Sequence, residues 1–300
     1  MRSDEVILSA RPTIRRSTSR RAAAFARGVA VVWYRDLLRF WRDRARIVGS
    51  LAQPLLFLVV FGAGLGSSIG GAFAPGGGSL PGSGAATIGY TEFVYPGVLG
   101  MAVLFSAVFG AMSIVWDREF GFLKEILVAP VDRSAVAVGK TLGGATQAMI
   151  QGLLLLVLAP FVGVELSPAT VLALAGALFV LAFALSAMGV AIASWMTTMQ
   201  GFQIVMNFLL MPMFFLSGSL FPLRGVPDWM AALSRIDPVT YGMDPLRRIA
   251  LGESLPGPFV EQLGVTLFDR VLPVGLELAI LVVFGLVMLG LGAASFRRRE

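Results

Sequence analysis

Charge is absent from five long stretches of this 300-residue chain, and that absence constrains the fold more than any motif does. The stretches run from Ile47 to Thr91, Phe93 to Trp116, Thr141 to Val164, Leu166 to Leu223 and Leu278 to Phe296, the last preceded by a lone Glu277. A helix needs about 20 apolar residues to cross a hydrocarbon core, and a charge at its centre costs about 2.5–3.5 kcal/mol. Soluble domains are about 25% charged. This chain is 14% charged and 56% hydrophobic, with a mean hydropathy of +0.81, so its solvent is a bilayer.

The fourth stretch is long enough for two helices, divided at the polar turn Met196 to Gly201. The first is compound. From Gly62 it turns rich in Gly, Ser and Pro, with Gly76-Gly77-Gly78 and Pro81-Gly82, so only Ile47 to about Leu65 spans. Gly66 to Tyr90 is expected as a flexible exposed loop, because such a sequence pays maximal entropy for order and offers no apolar face. The prediction is an all-α integral membrane protein with six transmembrane helices, at about 47–65, 93–116, 141–162, 171–195, 202–220 and 272–294. A basic tail, 1–46, precedes a six-helix membrane domain, 47–300.

Basic residues set the orientation. The tail, the Asp117–Lys140 segment, the Thr197 turn and the C-terminal end carry 12, 4, 0 and 3 of them, against 0, 0 and 5 in the other loops. Both termini are therefore expected in the cytoplasm. The net charge of +6 follows from this topology and from contact with anionic lipid, and nucleic acid is not an expected partner. The first apolar run begins after 46 residues with no small-residue cleavage site, so the first span is expected to be an uncleaved helix. No half-to-half repeat of the kind that builds secondary transporters is evident.

The chain has no His and no Cys. Thiolate nucleophiles, His-based triads, disulfides and the usual zinc sites are thereby excluded, and no metal site or catalytic residue is expected.

Ala22 to Arg46 has helical period. Val29, Trp33, Leu37, Phe40 and Trp41 fall on one side, and Arg35, Arg39, Arg42 and Arg46 on the other, with Arg44 left to snorkel. The pattern fits an amphipathic surface helix at the cytoplasmic interface, or a plain positive flank. Asp117 to Pro130 reads as a short amphipathic helix across the mouth of two spans, with Leu123, Ile126 and Leu127 at helical spacing, or else as a solvated connector. The neighbouring Ser134 to Thr141 run imitates a phosphate loop. Its first position is Ser134, its interior is Val-rich and no strand precedes it, so ATP binding by this chain is not expected.

Two further runs are Phe214-Phe215-Leu216-Ser217-Gly218-Ser219-Leu220-Phe221-Pro222 and Asp237-Pro238-Val239-Thr240-Tyr241-Gly242-Met243-Asp244-Pro245-Leu246-Arg247-Arg248. They read as a span ending in small residues, followed by two short helices. Pro227 opens the first and Pro238 closes it. Asp244 caps the second, with Pro245 at its first position and Gly252 at its end.

These runs, with the Arg-Glu-Phe-Gly-Phe-Leu…Ala-Pro-Val segment at Arg118 to Val131, resemble the membrane subunits of type-2 ATP-binding-cassette (ABC) exporters. The likeness covers about Arg35 to Arg299 and is nearest to the drug and lipid-linked glycan branch, the daunorubicin-resistance-like permeases. It implies a surface helix before the first span, a coupling helix between the second and third, and paired outer re-entrant helices before the sixth. Glu119, Phe120, Gly121, Leu123, Lys124 and Glu125 would seat the coupling helix on the ATPase. Pro227, Trp229, Pro238, Tyr241, Asp244 and Arg247 would belong to the outer re-entrant pair. The path, lined in relatives by the first, second and fifth spans, would involve Gln53, Tyr95, Met101, Phe105, Asn207, Met211 and Phe214, whose plain alternative is helix packing. Pro54 and Pro212 read as kinks.

The resemblance further implies two separate ATPase subunits that bind ATP and Mg, a second copy or a sibling permease, and a bacterial plasma (inner) membrane location. The substrate would be an amphipathic drug, lipid or lipid-linked glycan moved outward from the cytoplasmic side, with a polysaccharide as the alternative. Glu277 near the outer end of the last span either snorkels to the interface or serves function as an intramembrane carboxylate. A proton-coupled transporter would have Glu277 as its one titratable group within the spans. A lipid-modifying enzyme would have only the outer acids Asp228, Asp237, Asp244 and Glu253.

Overall fold

The computed structural model describes residues 18–60, 90–120, 132–162, 164, 166–220, 226–252, 266–267 and 270–298. They form α1 (Thr18–Arg42), α2 (Arg44–Phe57), α3 (Tyr90–Gly110), α4 (Met112–Glu119), α5 (Arg133–Val157), α6 (Pro168–Ala193), α7 (Met199–Leu216), α8 (Asp228–Ile236), α9 (Thr240–Leu251) and α10 (Val274–Arg298). A 3-10 turn, Ala159–Val162, follows α5, and two-residue strands β1 (Thr266–Leu267) and β2 (Arg270–Val271) pair antiparallel before α10. The described residues are thus helical in all but a few positions.

Four helical runs are long and apolar enough to cross a membrane: Thr91–Glu119, Pro168–Ala193, Met199–Leu216 and Val274–Arg297. The first joins α3 and α4 across a bend at Ala111. The expected first span is represented by the shorter apolar helix Ile47–Val60. The predicted loop 66–90 lies outside the described residues except Tyr90, which already begins α3.

α5, the helix that holds the predicted third span, starts eight residues before the expected limit and is not among these four runs. Asp132 caps α5, its carboxylate accepting the Ser134 N–H at 2.9 Å, so the whole Ser134–Thr141 run is helix. The boundary expected at Lys140 is absent because that charge has partners inside the protein.

α5 is the hub. Cβ atoms added at Gly139 and Gly143 would come within 2.8 Å of the Val32 Cβ and 3.3 Å of the Asp36 Cβ, so α1 lies directly on this stripe. Gly144 faces Ser186 of α6 and the Ala107 carbonyl of α3, and Gly152 faces Val103 and Leu178. Small residues let helix backbones approach where the lipid supplies no hydrophobic drive. Hydrogen bonds add fixed points: Trp33 Nε1 donates to Thr146 Oγ1 at 3.0 Å, Gln151 Nε2 to the Ser50 carbonyl at 2.6 Å, and Ser186 Oγ to the Thr141 carbonyl at 2.8 Å.

This packing corrects the expected placement of α1. Phe40 is buried, Val29, Trp33 and Leu37 are half-buried among described neighbours, and Trp41 points away. The face expected to meet acyl chains is turned toward α5, and it includes the buried Asp36.

α9 occupies a notch between α3, α6 and α10, with Gly242 against Leu181 and Leu281 and Gly100 against Met243. α8 follows the expected limits, opened by Pro227 and ended at Asp237. α9 does not: it begins at Thr240, not after Asp244. Asp237 Oδ1 accepts the Val239 N–H at 2.9 Å and its carbonyl accepts the Thr240 N–H at 3.2 Å, which starts the turn early. Asp244 is therefore interior to the helix, and Pro245 removes one ladder hydrogen bond in its second turn.

Candidate functional site

The bundle has two chemically distinct ends. At the foot, α4 finishes in Asp117-Arg118-Glu119, and each charge goes to a different place. Asp117 joins a buried cluster with α1 and α5. Lys140, 2% exposed in its side chain, places Nζ 3.1 Å from Asp36 Oδ2, 3.0 Å from Asp117 Oδ2 and 3.0 Å from Ser113 Oγ. That uses all three ammonium donors. Arg35 Nη2 lies 2.9 Å from Asp117 Oδ2, and Arg39 adds a longer contact at 3.7 Å while its guanidinium stands 5.6 Å from the Trp116 ring centre. Three cations thus surround two carboxylates, which meets the requirement that a buried charge be paired and hydrogen-bonded.

Arg118 and Glu119 turn to the α6–α7 connection. The Arg118 guanidinium donates to the carbonyls of Ser194 at 3.1 Å, Ala193 at 3.5 Å and Met196, where α6 ends. Glu119 Oε2 accepts the N–H of Met199, the first residue of α7, at 2.7 Å. The signs match the helix ends they serve, a cation on terminal carbonyls and an anion on a leading amide. Thr198 completes the cap through the Gly201 N–H at 3.2 Å, so the expected turn 196–201 is shortened by the start of α7.

At the head, Arg248 bridges two acids. Its Nη2 lies 3.1 Å from Asp244 Oδ2, 2.9 Å from Glu277 Oε1 and 2.8 Å from the Leu272 carbonyl. Glu277 is wholly buried, so it does not snorkel; it points inward and ties α10 to α9. Arg247 Nη2 donates to the carbonyls of Gly218 and, at 3.0 Å, Ser219, just past α7, and its guanidinium lies 4.6 Å from the Phe93 ring centre. Gly218 adopts φ 74°, a left-handed conformation that glycine takes at no steric cost, and this aims both carbonyls at Arg247. Burial lowers Arg247 to about 10, partly offset by Asp244, so it stays cationic at neutral pH. Ser234 Oγ of α8 also donates to the Leu216 carbonyl at 2.6 Å, and Tyr241 Oη to the Arg235 carbonyl at 2.6 Å.

The expected coupling residues divide. Glu119 and Phe120 are described, Glu119 in the last turn of α4 and Phe120 just after it, stacked 4.9 Å from Trp116; Gly121, Leu123, Lys124 and Glu125 lie outside the described residues. Among the path candidates, Gln53, Asn207 and Met211 are exposed on α2 and α7, and Phe105 is half-buried beside Phe109. Tyr95, Met101 and Phe214 are buried; Tyr95 Oη donates to the Leu155 carbonyl at 2.9 Å, and Phe214 packs edge-on to Phe57 with ring centres 6.5 Å apart. In the outer region Pro227 and Trp229 are exposed, Pro238 is half-buried, and Tyr241, Asp244 and Arg247 are buried. Sequence reasoning overlooked Asp36, Asp117, Lys140 and Arg248. Their signal was available: acids set among arginines in the tail, and a lone lysine at the border of an apolar run.

The description of the ABC-2 type transporter family matches residues 27–251. The chain is 27% identical to Nodulation protein J of Rhizobium meliloti (strain 1021) over 277 residues, covering 89% of this chain and 92% of that protein. It is 27% identical over 234 residues to a ycf38 transport permease of Cyanophora paradoxa, 77% of each chain. With the inner membrane transport permease YadH of Escherichia coli (strain K12) it shares 25% identity over 224 residues, 74% of this chain and 82% of the relative. A match that runs from within α1 to the last residue of α9 makes this chain a member of the ABC-2 type transporter family.

Proposed function

We propose that the chain is the non-catalytic, membrane-spanning permease subunit of an ATP-driven exporter in a bacterial inner membrane. Kinship with transport permeases along most of its length carries the reading. Six spans are formed by α2 and its continuation, α3–α4, α5, α6, α7 and α10, with the foot and both termini in the cytoplasm. The distribution of basic residues supports this orientation. α8 and α9 form the outer re-entrant pair, supported by the burial of α9 between three spans.

In this reading two copies, or one copy and a sibling, meet two ATPase subunits that hold ATP and Mg. Residues Phe120 to Glu125 receive the push. The described part of the foot delivers it: Asp117 to α1 and α5, Arg118 and Glu119 to α6 and α7. An amphipathic drug, lipid or lipid-linked glycan is the proposed cargo, supported by the apolar, Met- and Phe-rich surface of α7. Gln53, Asn207 and Met211 face outward from this subunit and are the residues proposed to meet it; Tyr95, Met101 and Phe214 act through packing.

The test is co-expression with an ATP-binding-cassette ATPase of the same operon, followed by ATP hydrolysis in lipid. Co-purification with vanadate-sensitive hydrolysis that falls in Lys124→Ala plus Glu125→Ala is the expected result. An isolated chain that transports or modifies a lipid with no ATPase bound would overturn the reading.

A further inference from the structure

α7 and α10 are the least buried of the long helices: 28% and 17% of their apolar windows lie within the chain, against 67% for Thr91–Glu119 and 56% for Pro168–Ala193. α10 nevertheless lies along α6, whereas α7 makes only slight contact with α3, α4 and α8. Ile204 and Phe208 of α7 are 62% and 82% exposed. Side-chain packing along its length is thin, yet both ends are fastened by charges from other elements. Glu119 of α4 accepts the first amide at the foot. Arg247 of α9 takes the carbonyls of Gly218 and Ser219 at the head.

A helix is stiff along its axis because each turn is hydrogen-bonded to the next, and α7 runs unbroken from Met199 to Leu216 although Pro212 removes one ladder hydrogen bond near its head. A helix gripped at its two ends and loosely packed between them carries axial displacement from one grip to the other. Here the foot grip sits on the residues directly before the proposed ATPase contact. The head grip sits on α9, whose next residue, Arg248, holds Glu277 of the last span.

We propose that α7 is the rod that carries motion from foot to head, with Glu119 and Arg118 positioning its foot and Arg247 coupling its head to α9. The proposal rests on the permease reading and adds the route by which a cytoplasmic push reaches the outer helices. Glu119 therefore acts through the Met199 amide, not as a charge presented to the ATPase.

The experiment uses the permease–ATPase complex in lipid nanodiscs with spin labels at Leu172→Cys and Phe215→Cys, two exposed head positions in a chain with no other cysteine. In the native background, trapping with ATP, Mg and vanadate shifts the label distance. Glu119→Ala removes the shift and lowers hydrolysis. Glu119→Gln restores both, because an amide oxygen accepts the same Met199 N–H without carrying charge. A second label pair, Leu172→Cys with the exposed Val271→Cys, reports on the segment that Arg248 of α9 holds through the Leu272 carbonyl. Arg247→Met removes the Val271 shift while leaving the Phe215 shift, and Arg247→Lys restores it. A Phe215 shift that survives Glu119→Ala, or a Val271 shift that survives Arg247→Met, overturns the rod. Glu119→Gln behaving like Glu119→Ala overturns it in favour of a charge contact with the ATPase. Failure of the native chain to bind any ATPase is a separate result that overturns the permease reading and the proposal with it.

Discussion

At the foot, Lys140 spends every donor on Asp36, Asp117 and Ser113, and Arg35 and Arg39 share the same carboxylates while 44% and 50% exposed. At the head, Arg248 stands between Asp244 and Glu277 with no side chain of the trio more than 7% exposed. There, Arg247 Nε and Arg248 Nε lack hydrogen bonds among the described residues. Both clusters join three or more elements through buried charge. The foot has redundancy and two half-exposed cations at its edge, which suits a fixed anchor. At the head a single guanidinium, that of Arg248, is shared by both acids at ion-pair distance, so more of its integrity depends on one residue.

Removing that residue is the sharpest way to break the comparison. Arg248→Met removes the guanidinium that Asp244 and Glu277 share, and stripping a partner from a buried pair costs about 3–5 kcal/mol. Thermal unfolding in lipid or detergent is expected to show the largest loss of any single substitution considered. Adding Asp244→Asn and Glu277→Gln is expected to recover most of it.

Lys140→Met tests the redundancy of the foot. Arg35 and Arg39 remain beside Asp117, so the expected loss is about 1–3 kcal/mol, smaller than for Arg248→Met. Equal losses would remove the distinction between the two ends.

Asp237 gives the head a pH dependence. Burial pushes its carboxyl up to about 7, against the hydrogen bonds from the Val239 N–H and from Thr240 that favour the ionised form. The folded state thus keeps a proton that the unfolded state releases. Its contribution is full below the ordinary value of 3.8 and is lost as pH rises through about 7. Melting temperature measured across that range is expected to fall, and Asp237→Asn, which keeps the acceptor for Val239, is expected to flatten the slope. The smallest effect is Arg39→Gln: a half-exposed guanidinium 3.7 Å from Asp117 contributes about 1 kcal/mol or less, and unfolding should barely register its loss.

The spans were legible because water exclusion leaves a one-dimensional record. The charge-free runs around Leu104, Leu181, Met206 and Val283 all lie within the helices they forecast. Partnership leaves no such record. Lys140 read as a membrane boundary because its two acids come from residues 104 and 23 positions away, and the same blindness turned the inner face of α1 toward lipid. Pro227 and Pro238 marked α8 correctly, since proline acts locally. Asp244 had the right spacing for a cap, but Asp237 started the helix first and freed Asp244 to pair with Arg248. In the candidate site, Glu119 was legible as a residue of the connecting segment after the second span, while its partner at Met199 lay beyond any local pattern.

The foot and the head differ because, in this account, they face different compartments, and accessibility measures that directly. The chain has no cysteine, so Thr197→Cys in the α6–α7 turn and Ala232→Cys on α8 each provide a single exposed thiol. A membrane-impermeant maleimide applied to intact spheroplasts is expected to label Ala232→Cys at once and Thr197→Cys only after lysis. Labelling of Thr197→Cys in intact spheroplasts with Ala232→Cys protected would invert the molecule and contradict a foot that meets a cytoplasmic ATPase.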